Sequence, residues 1–317
     1  MIIPFLLVVL GFALLIMGAS WLVSGASSLA RKFRVSELAI GLTIVAFGTS
    51  APELVVNIVA SANGFSDIVL GNIIGSNNFN LFIILGLSGI ILPVVVQSST
   101  AWKEIPLSLI VALAFLLLAN NFFISDEPVL SRLDGGILFI LFLFFLYYVF
   151  TQMRKEEKKN TDPVGKSAIF ITGLIILGLS GLIFGGQLVV MNSIKIAANL
   201  GISEKVIGLT IVAAGTSLPE LVTSVVAALK RKSDLAIGNV IGSNIFNILL
   251  ILPVSTFIHP IPYSKAFNTD IYILIGGTAF LILSMITGKR KRLDRWEAMI
   301  MLGFFLIYTI FIVMNEM

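Results

Sequence analysis

Two stretches of this 317-residue chain are copies of one another. Residues 36–80 align without a gap on residues 203–247, a constant shift of 167 (203 − 36), and well over half of the aligned positions are identical. "GTSAPEL" at 48–54 returns as "GTSLPEL" at 215–221, and "GNIIGSNNFN" at 71–80 returns as "GNVIGSNIFN" at 238–247. Shared apolar composition makes membrane segments look alike, but it does not repeat two polar motifs in order. The copies lie in apolar runs, and a run of about 20 residues crosses a hydrocarbon core of about 30 Å. The hydropathy pattern predicts ten spans, near 2–29, 36–61, 67–94, 105–122, 132–152, 168–198, 203–228, 234–258, 270–287 and 296–315. The charged stretch "MRKEEKKNTDPVGK" at 153–166 separates five from five. An odd number of spans per copy makes the second copy enter the membrane from the opposite side. The expected fold is an all-α polytopic membrane protein of two inverted five-helix repeats, 1–153 and 168–317, joined by a linker at 154–167.

The chain is 57% hydrophobic and 12% charged, where a soluble domain carries about 25% charged residues. No separate soluble domain is expected. The first apolar run lacks a basic leader and exceeds an ordinary signal core, so it reads as a first membrane helix, with a removed signal peptide as the alternative. Cysteine is absent, which excludes disulfides, thiolate chemistry and iron–sulfur clusters. The net charge of +4 comes from short loops and implies no nucleic-acid partner. With the N-terminus placed outside, only Arg132, Lys195, Lys205 and Lys265 fall in outer loops, and the other 17 of the 21 basic residues face inward. The positive-inside rule therefore predicts a multi-pass protein of the cell membrane with both termini outside and the linker in the cytoplasm.

Within each copy a proline interrupts the span beside a glutamate. Pro52 has no N–H for the Gly48 carbonyl, and Pro219 none for that of Gly215, so each helix must bend or break. Backbone oxygens freed inside a bilayer need partners, and a cation is one. Ala46, Thr49, Ser50 and Glu53 stand at i, i+3, i+4 and i+7, one helical face. Ala213, Thr216, Ser217 and Glu220 repeat it. The next spans add Asn72, Ser76 and Asn80, repeated as Asn239, Ser243 and Asn247. Gly71 and Gly75, like Gly238 and Gly242, have the small-xxx-small spacing that lets helices approach closely. A midplane cavity with two glutamates, hydroxyls and amide oxygens is expected. One buried membrane carboxylate can be structural; two at equivalent places, each beside Thr-Ser and a proline, point to function. Hard oxygen ligands suit Ca²⁺, Mg²⁺ or Na⁺. His259, the only histidine, reads as an interfacial residue. Asn77 and Asn244 read equally as ligands or as scaffold. Gly11 and Gly18, matched by Gly178 and Gly185, read as packing residues, and their seven-residue spacing could also let helices slide. Asp67 and Asp234 read as helix N-terminal charges, and Asp126, Glu127 and Asp134 as a solvated acidic loop.

The paired "GTSxPE" and "GNxIGSNxFN" motifs resemble the alpha repeats of the sodium/calcium exchanger family, within the calcium/cation antiporter superfamily. The resemblance is motif-level over 36–80 and 203–247 and one of span number and order elsewhere. It implies that spans 2, 3, 7 and 8 build the ion sites and that spans 1 and 6 move across them. By position it implies Glu53 and Glu220 as central Ca²⁺ ligands, helped by Thr49 and Thr216. Ser50, Ser76, Ser217 and Ser243, with the Ala46 and Ala213 carbonyls, would complete flanking Na⁺ sites, and Asn80 and Asn247 would lie at the middle. Some relatives, including the potassium-dependent branch, have aspartate at the position of Asn247, so asparagine argues against potassium co-transport. The implied function is Na⁺/Ca²⁺ antiport by alternating access. Two glutamates supply −2, which one Ca²⁺ or several Na⁺ can balance, so the ions exclude one another. A proton/calcium exchanger using the same glutamates is the alternative; whether a pH or a sodium gradient drives uptake separates the two. A cation channel would lack saturable, counter-ion-dependent flux. An intramembrane enzyme lacks support, since "HExxH", "GxGD" and any Ser–His constellation are missing. No cofactor and no obligate protein partner are expected; the ligands are Ca²⁺, Na⁺ and, in the alternative, H⁺, and the surroundings are lipid.

Overall fold

A computed structural model of the chain describes residues 2–96, 100–120, 128–156, 167–199, 213–287 and 291–316. The chain is predominantly helical. In order it forms α1 (Ile2–Phe33), α2 (Glu37–Thr49), α3 (Ala51–Ala62), α4 (Ser66–Ile91), β1 (Val94–Val95), α5 (Ile105–Asn120, led in by a π turn at Thr100–Glu104), β2 (Val129–Leu130) and α6 (Arg132–Glu156). After the linker come α7 (Ala168–Asn199), the short α8 (Ala213–Gly215), α9 (Leu218–Leu229), α10 (Ser233–Ile258), β3 (Ile261–Pro262), α11 (Asn268–Ser284), β4 (Arg292–Leu293) and α12 (Arg295–Glu316). Among the described residues seven helices are long and apolar enough to cross a membrane, and the bent pair α2–α3 makes eight. The first half of the seventh expected span, with linker residues 157–166 and Asp126 and Glu127, lies outside the described residues, and α6 runs on into the start of the expected linker.

The proline break falls where the sequence places it. α2 starts at an N-cap, Ser36, whose Oγ accepts the Ala39 N–H at 3.1 Å. It ends at Thr49, and α3 leaves at 48° to it. The Ser50 and Leu54 N–H groups still reach Ala46 O and Ser50 O, at 3.0 and 3.1 Å. Pro52 cannot make the intervening rung to Gly48 O. The second copy breaks with the same backbone: Ser50 has φ −81°, ψ 7° and Ser217 has φ −88°, ψ 7°. The turns that follow also match. Gly64 (φ 73°) and its repeat equivalent Arg231 (φ 59°) both take the left-handed region, which glycine enters freely and arginine at a cost.

Burial sorts the helices. In its most apolar 18-residue window α10 is 94% buried, against 22% for α1 and 28% for α7. One packed group of apolar residues surrounds α4 and α10, and a second lies where α1 and α7 meet the first turns of α2 and α10. Glycine sets the α1–α7 contact: a Cβ on Gly18 would stand 2.8 Å from Gly178 O, and one on Gly11 2.9 Å from Gly185 O. Gly238 and Gly242 likewise press on α2, with built Cβ positions 2.9 Å from Leu38 O and from Leu42 Cα. Gly71 and Gly75 make no such approach among the described residues; the repeat equivalent of the α2 segment, 205–213, is almost wholly outside them.

Hydropathy does not announce the strands, and the fold is therefore not purely helical. β1 pairs antiparallel with β4 (Val94 opposite Leu293), and β2 with β3 (Leu130 opposite Ile261). Each pair takes one strand from each half of the chain. Asp134 does not sit free in a solvated loop; it caps α6, accepting from Ser131 N at 2.8 Å and Ser131 Oγ at 2.6 Å. Asp67 and Asp234 occupy the first turns of α4 and α10, where a negative charge meets the positive helix end. His259 is exposed at the end of α10, as an interfacial residue would be.

Candidate functional site

The two breaks face each other across the bundle, and their side chains interlock. Ser50 Oγ donates to Glu220 Oε1 at 2.8 Å and lies 3.0 Å from Ser243 Oγ. Ser217 Oγ donates to Glu53 Oε1 at 3.0 Å and lies 3.2 Å from Ser76 Oγ. Every contact has its mate at the shift of 167, so each copy's serine serves the other copy's carboxylate. Glu53 and Glu220 are 2% and 1% exposed. No lysine, arginine or histidine pairs with either among the described residues. Two buried carboxyl groups without a basic partner can ionise together only when positive charge comes from another source.

The threonines link this centre to neighbouring asparagines. Thr49 Oγ1 donates to Asn239 Oδ1 at 3.1 Å, and Thr216 Oγ1 lies 3.4 Å from Asn72 Oδ1. Ala46 O is within 3.3 Å of Thr49 Oγ1 as well as accepting the Ser50 N–H. Ala213 opens α8, the matching position.

Below the carboxylates lies a ladder of amides. Asn80 Nδ2 donates to Asn244 Oδ1 at 3.1 Å, and Asn247 Nδ2 to Asn77 Oδ1 at 2.9 Å. Asn77 Nδ2 and Asn244 Nδ2 donate to each other's backbone carbonyls at 3.4 and 3.3 Å. Asn77 and Asn244 thus stitch α4 to α10, which decides the scaffold reading for the contacts they make. By consuming the N–H groups of Asn80 and Asn247, they also turn two amide oxygens loose. At this centre four buried oxygens receive no donor among the described residues: Glu53 Oε2, Glu220 Oε2, Asn80 Oδ1 and Asn247 Oδ1. Buried acceptors are rarely left so. Oxygen-only donors of this kind match hard cations.

Three relationships had no sequence pattern to announce them. Asn239 Nδ2 donates to Ser224 Oγ at 2.9 Å, while the equivalent pair, Asn72 Nδ2 and Asn57 Oδ1, is unpartnered on both sides. Lys230 Nζ, just past α9, donates to Ser20 O, Ser20 Oγ and Ser24 Oγ on α1 at 2.8, 2.8 and 3.0 Å. Partial burial pulls the Lys230 pKa down from the usual lysine value. Its repeat equivalent, Asn63, donates through Nδ2 to Val59 O of the helix it follows, at 2.7 Å. The third is Tyr148, which donates to the buried Glu104. These partners lie far apart in sequence, and only a tertiary map brings them together.

Comparison with known proteins gives one consistent result. The family model described as "Sodium/calcium exchanger protein" matches residues 3–151 and 170–314. Membrane protein MJ0091 of Methanocaldococcus jannaschii is 37% identical over 279 residues, 88% of each chain. Sodium/calcium exchanger MaX1 of Methanosarcina acetivorans is 31% identical over 345 aligned positions, covering 96% of this chain and 97% of its own. The solved sodium-calcium exchanger NCX_Mj, soaked with 2.5 mM Na⁺ and 0.1 mM Ca²⁺, superposes with a TM-score of 0.83 at 35% identity over 97% of both chains.

Proposed function

From the premise that this chain belongs to the sodium/calcium exchanger protein family, we propose that it is a secondary antiporter exchanging Na⁺ for Ca²⁺ across the membrane. One observation carries the reading: four donor-free oxygens, from Glu53, Glu220, Asn80 and Asn247, are buried together between the two copies. In this reading Glu53 and Glu220 are the central Ca²⁺ ligands. Thr49 and Thr216 help them through carbonyl or hydroxyl oxygens, the hydroxyls also reaching Asn239 and Asn72. Ser50, Ser76, Ser217 and Ser243, with the Ala46 and Ala213 carbonyls, flank them as Na⁺ ligands. Asn80 and Asn247 close the cluster.

Exchange follows from charge. Ca²⁺ neutralises both carboxylates, and Na⁺ ions do so in its place, so the two loads compete and either restores the neutrality that a low-dielectric crossing needs. We read the chain as ten helices in two inverted five-helix repeats, 1–153 and 168–317, with the linker at 154–167 in the cytoplasm and both termini outside. Access alternates as α1 and α7, glycine-smooth against each other, shift across the fixed site. The test is ⁴⁵Ca uptake into proteoliposomes. An outward sodium gradient should drive it, and a pH gradient alone should not; uptake driven only by the pH gradient would replace sodium by protons as the coupling ion.

A further inference from the structure

Away from the ion site, a groove of about 470 Å³ opens on the outer surface of the bundle between α5 and α6. Its walls are apolar and face the space that lipid fills: Phe144 is 66% exposed. From Lys103 to Ala114 the groove follows 12 residues of α5 and its lead-in turn, about 16 Å at helical rise, or half the hydrocarbon core. One end is different. Trp102, 54% exposed, and Lys103 stand there, just ahead of the apolar helix, where indole rings and snorkelling lysines mark the headgroup level. Lys103 is the only charged residue of the lining, is exposed, and has no ion-pair partner among the described residues. The neighbouring acid does not offset it, because Glu104 is buried and bonded to Tyr148. The floor is Leu249, two residues beyond Asn247 in the π turn Asn247–Ile251.

We propose that this groove is a binding site for an anionic phospholipid, one acyl chain lying along it and the phosphate seated on the Lys103 ammonium. The length fits one chain in one leaflet, and the one cation of the lining, unpaired among the described residues, selects for charge. A zwitterionic lipid fills the groove equally well with its tail but gains less at Lys103.

Brominated lipids quench tryptophan on contact, and Trp102 is a built-in reporter. The full-length chain with Trp21→Phe and Trp296→Phe retains it as the sole tryptophan of three. In vesicles of phosphatidylcholine carrying graded brominated phosphatidylglycerol, quenching should saturate at low mole fraction. Brominated phosphatidylcholine should be about fivefold weaker, the factor one lysine contributes near a membrane surface. Lys103→Gln should bring that ratio to about one. Native mass spectrometry of the otherwise unaltered chain, extracted from mixed vesicles, should show phosphatidylglycerol retained and the retention lost in Lys103→Gln. Equal quenching by the two lipids, or a preference that survives Lys103→Gln in both measurements, overturns the site and leaves only unselective annular lipid.

Discussion

Ser50 donates to Glu220 Oε1 across 2.8 Å, although 170 residues separate them. The bond fixes which lone pairs of the carboxylate face inward, and Ser217 does the same for Glu53. Removing either hydroxyl should loosen a carboxylate without deleting it. Ser50→Ala or Ser217→Ala should weaken apparent sodium affinity about fivefold, the worth of about 1 kcal/mol for one hydrogen bond. Sodium titration of ⁴⁵Ca efflux measures it; unchanged sodium dependence would separate these serines from the ion path.

Each glutamate is proposed to supply half of the negative charge. Glu53→Gln or Glu220→Gln should lower sodium-dependent calcium flux by at least about 100-fold, since removing one member of a buried charge cluster costs about 3 kcal/mol or more. Gel filtration and thermal melting establish that the variant is folded. A folded variant with near-normal flux would falsify the assignment.

Asn77 and Asn244 are placed as stitches, so their loss should read out as stability. Asn77→Ala strands Asn247 Nδ2 and removes the donor to the Asn244 carbonyl inside the protein, at about 1–3 kcal/mol for a buried group left unsatisfied. Melting should drop by several degrees, and Asn77→Asp should not rescue it, because a carboxylate cannot donate to Asn244 O. A melting temperature equal to that of the parent protein refutes the scaffold role.

The α1–α7 contact admits a matched pair. Gly18→Ala puts a methyl 2.8 Å from Gly178 O, whereas a Cβ on Gly173 meets nothing within 4 Å among the described residues. Gly18→Ala should cost about 1–3 kcal/mol through overpacking and slow exchange. Gly173→Ala should leave both melting and flux within error. Equal behaviour of the two variants would contradict close glycine packing.

Asparagine at 247 leaves the cluster with two carboxylates. Calcium flux driven by sodium should therefore proceed without potassium on either side. Asn247→Asp adds an anion beside two others, and like charges disfavour a third ionisation. Its effect on apparent cation affinity should grow as pH rises and exceed that of Asn57→Asp. Strict potassium dependence of the unaltered chain, read by the same vesicle assay, runs against the charge count.

Local rules carried much of this structure. The missing N–H of Pro52 placed the break, and the spacing of Gly11 and Gly18 matched the α1–α7 packing face. The span limits agree with the observed helices to within a few residues wherever those are described. Partner choice was not legible. Nothing near Asn80 tells that its N–H groups face Asn244, and nothing near Lys230 points to Ser20, because a hydrogen-bond partner 164 or 210 positions away leaves no periodic trace. The strand pairs escaped for a related reason: two residues are too few to show alternation, and Pro262 within β3 disguises the register. The Thr49 hydroxyl is the subtler case. Helical spacing put it on the face of Glu53, but the helix ends there, and the hydroxyl reaches Asn239 and Glu220 of the other copy.

The pairings β1–β4 and β2–β3 each draw one strand from each half, as do the bonds from Ser50 and Ser217. The halves consequently relate less as domains on a string than as subunits of an obligate dimer that share one chain. A cut between α6 and α7 severs none of these bonds, while either half alone would hold serines without their carboxylates and strands without their mates. Two separately made halves, inserted into one membrane, carry everything needed to find each other.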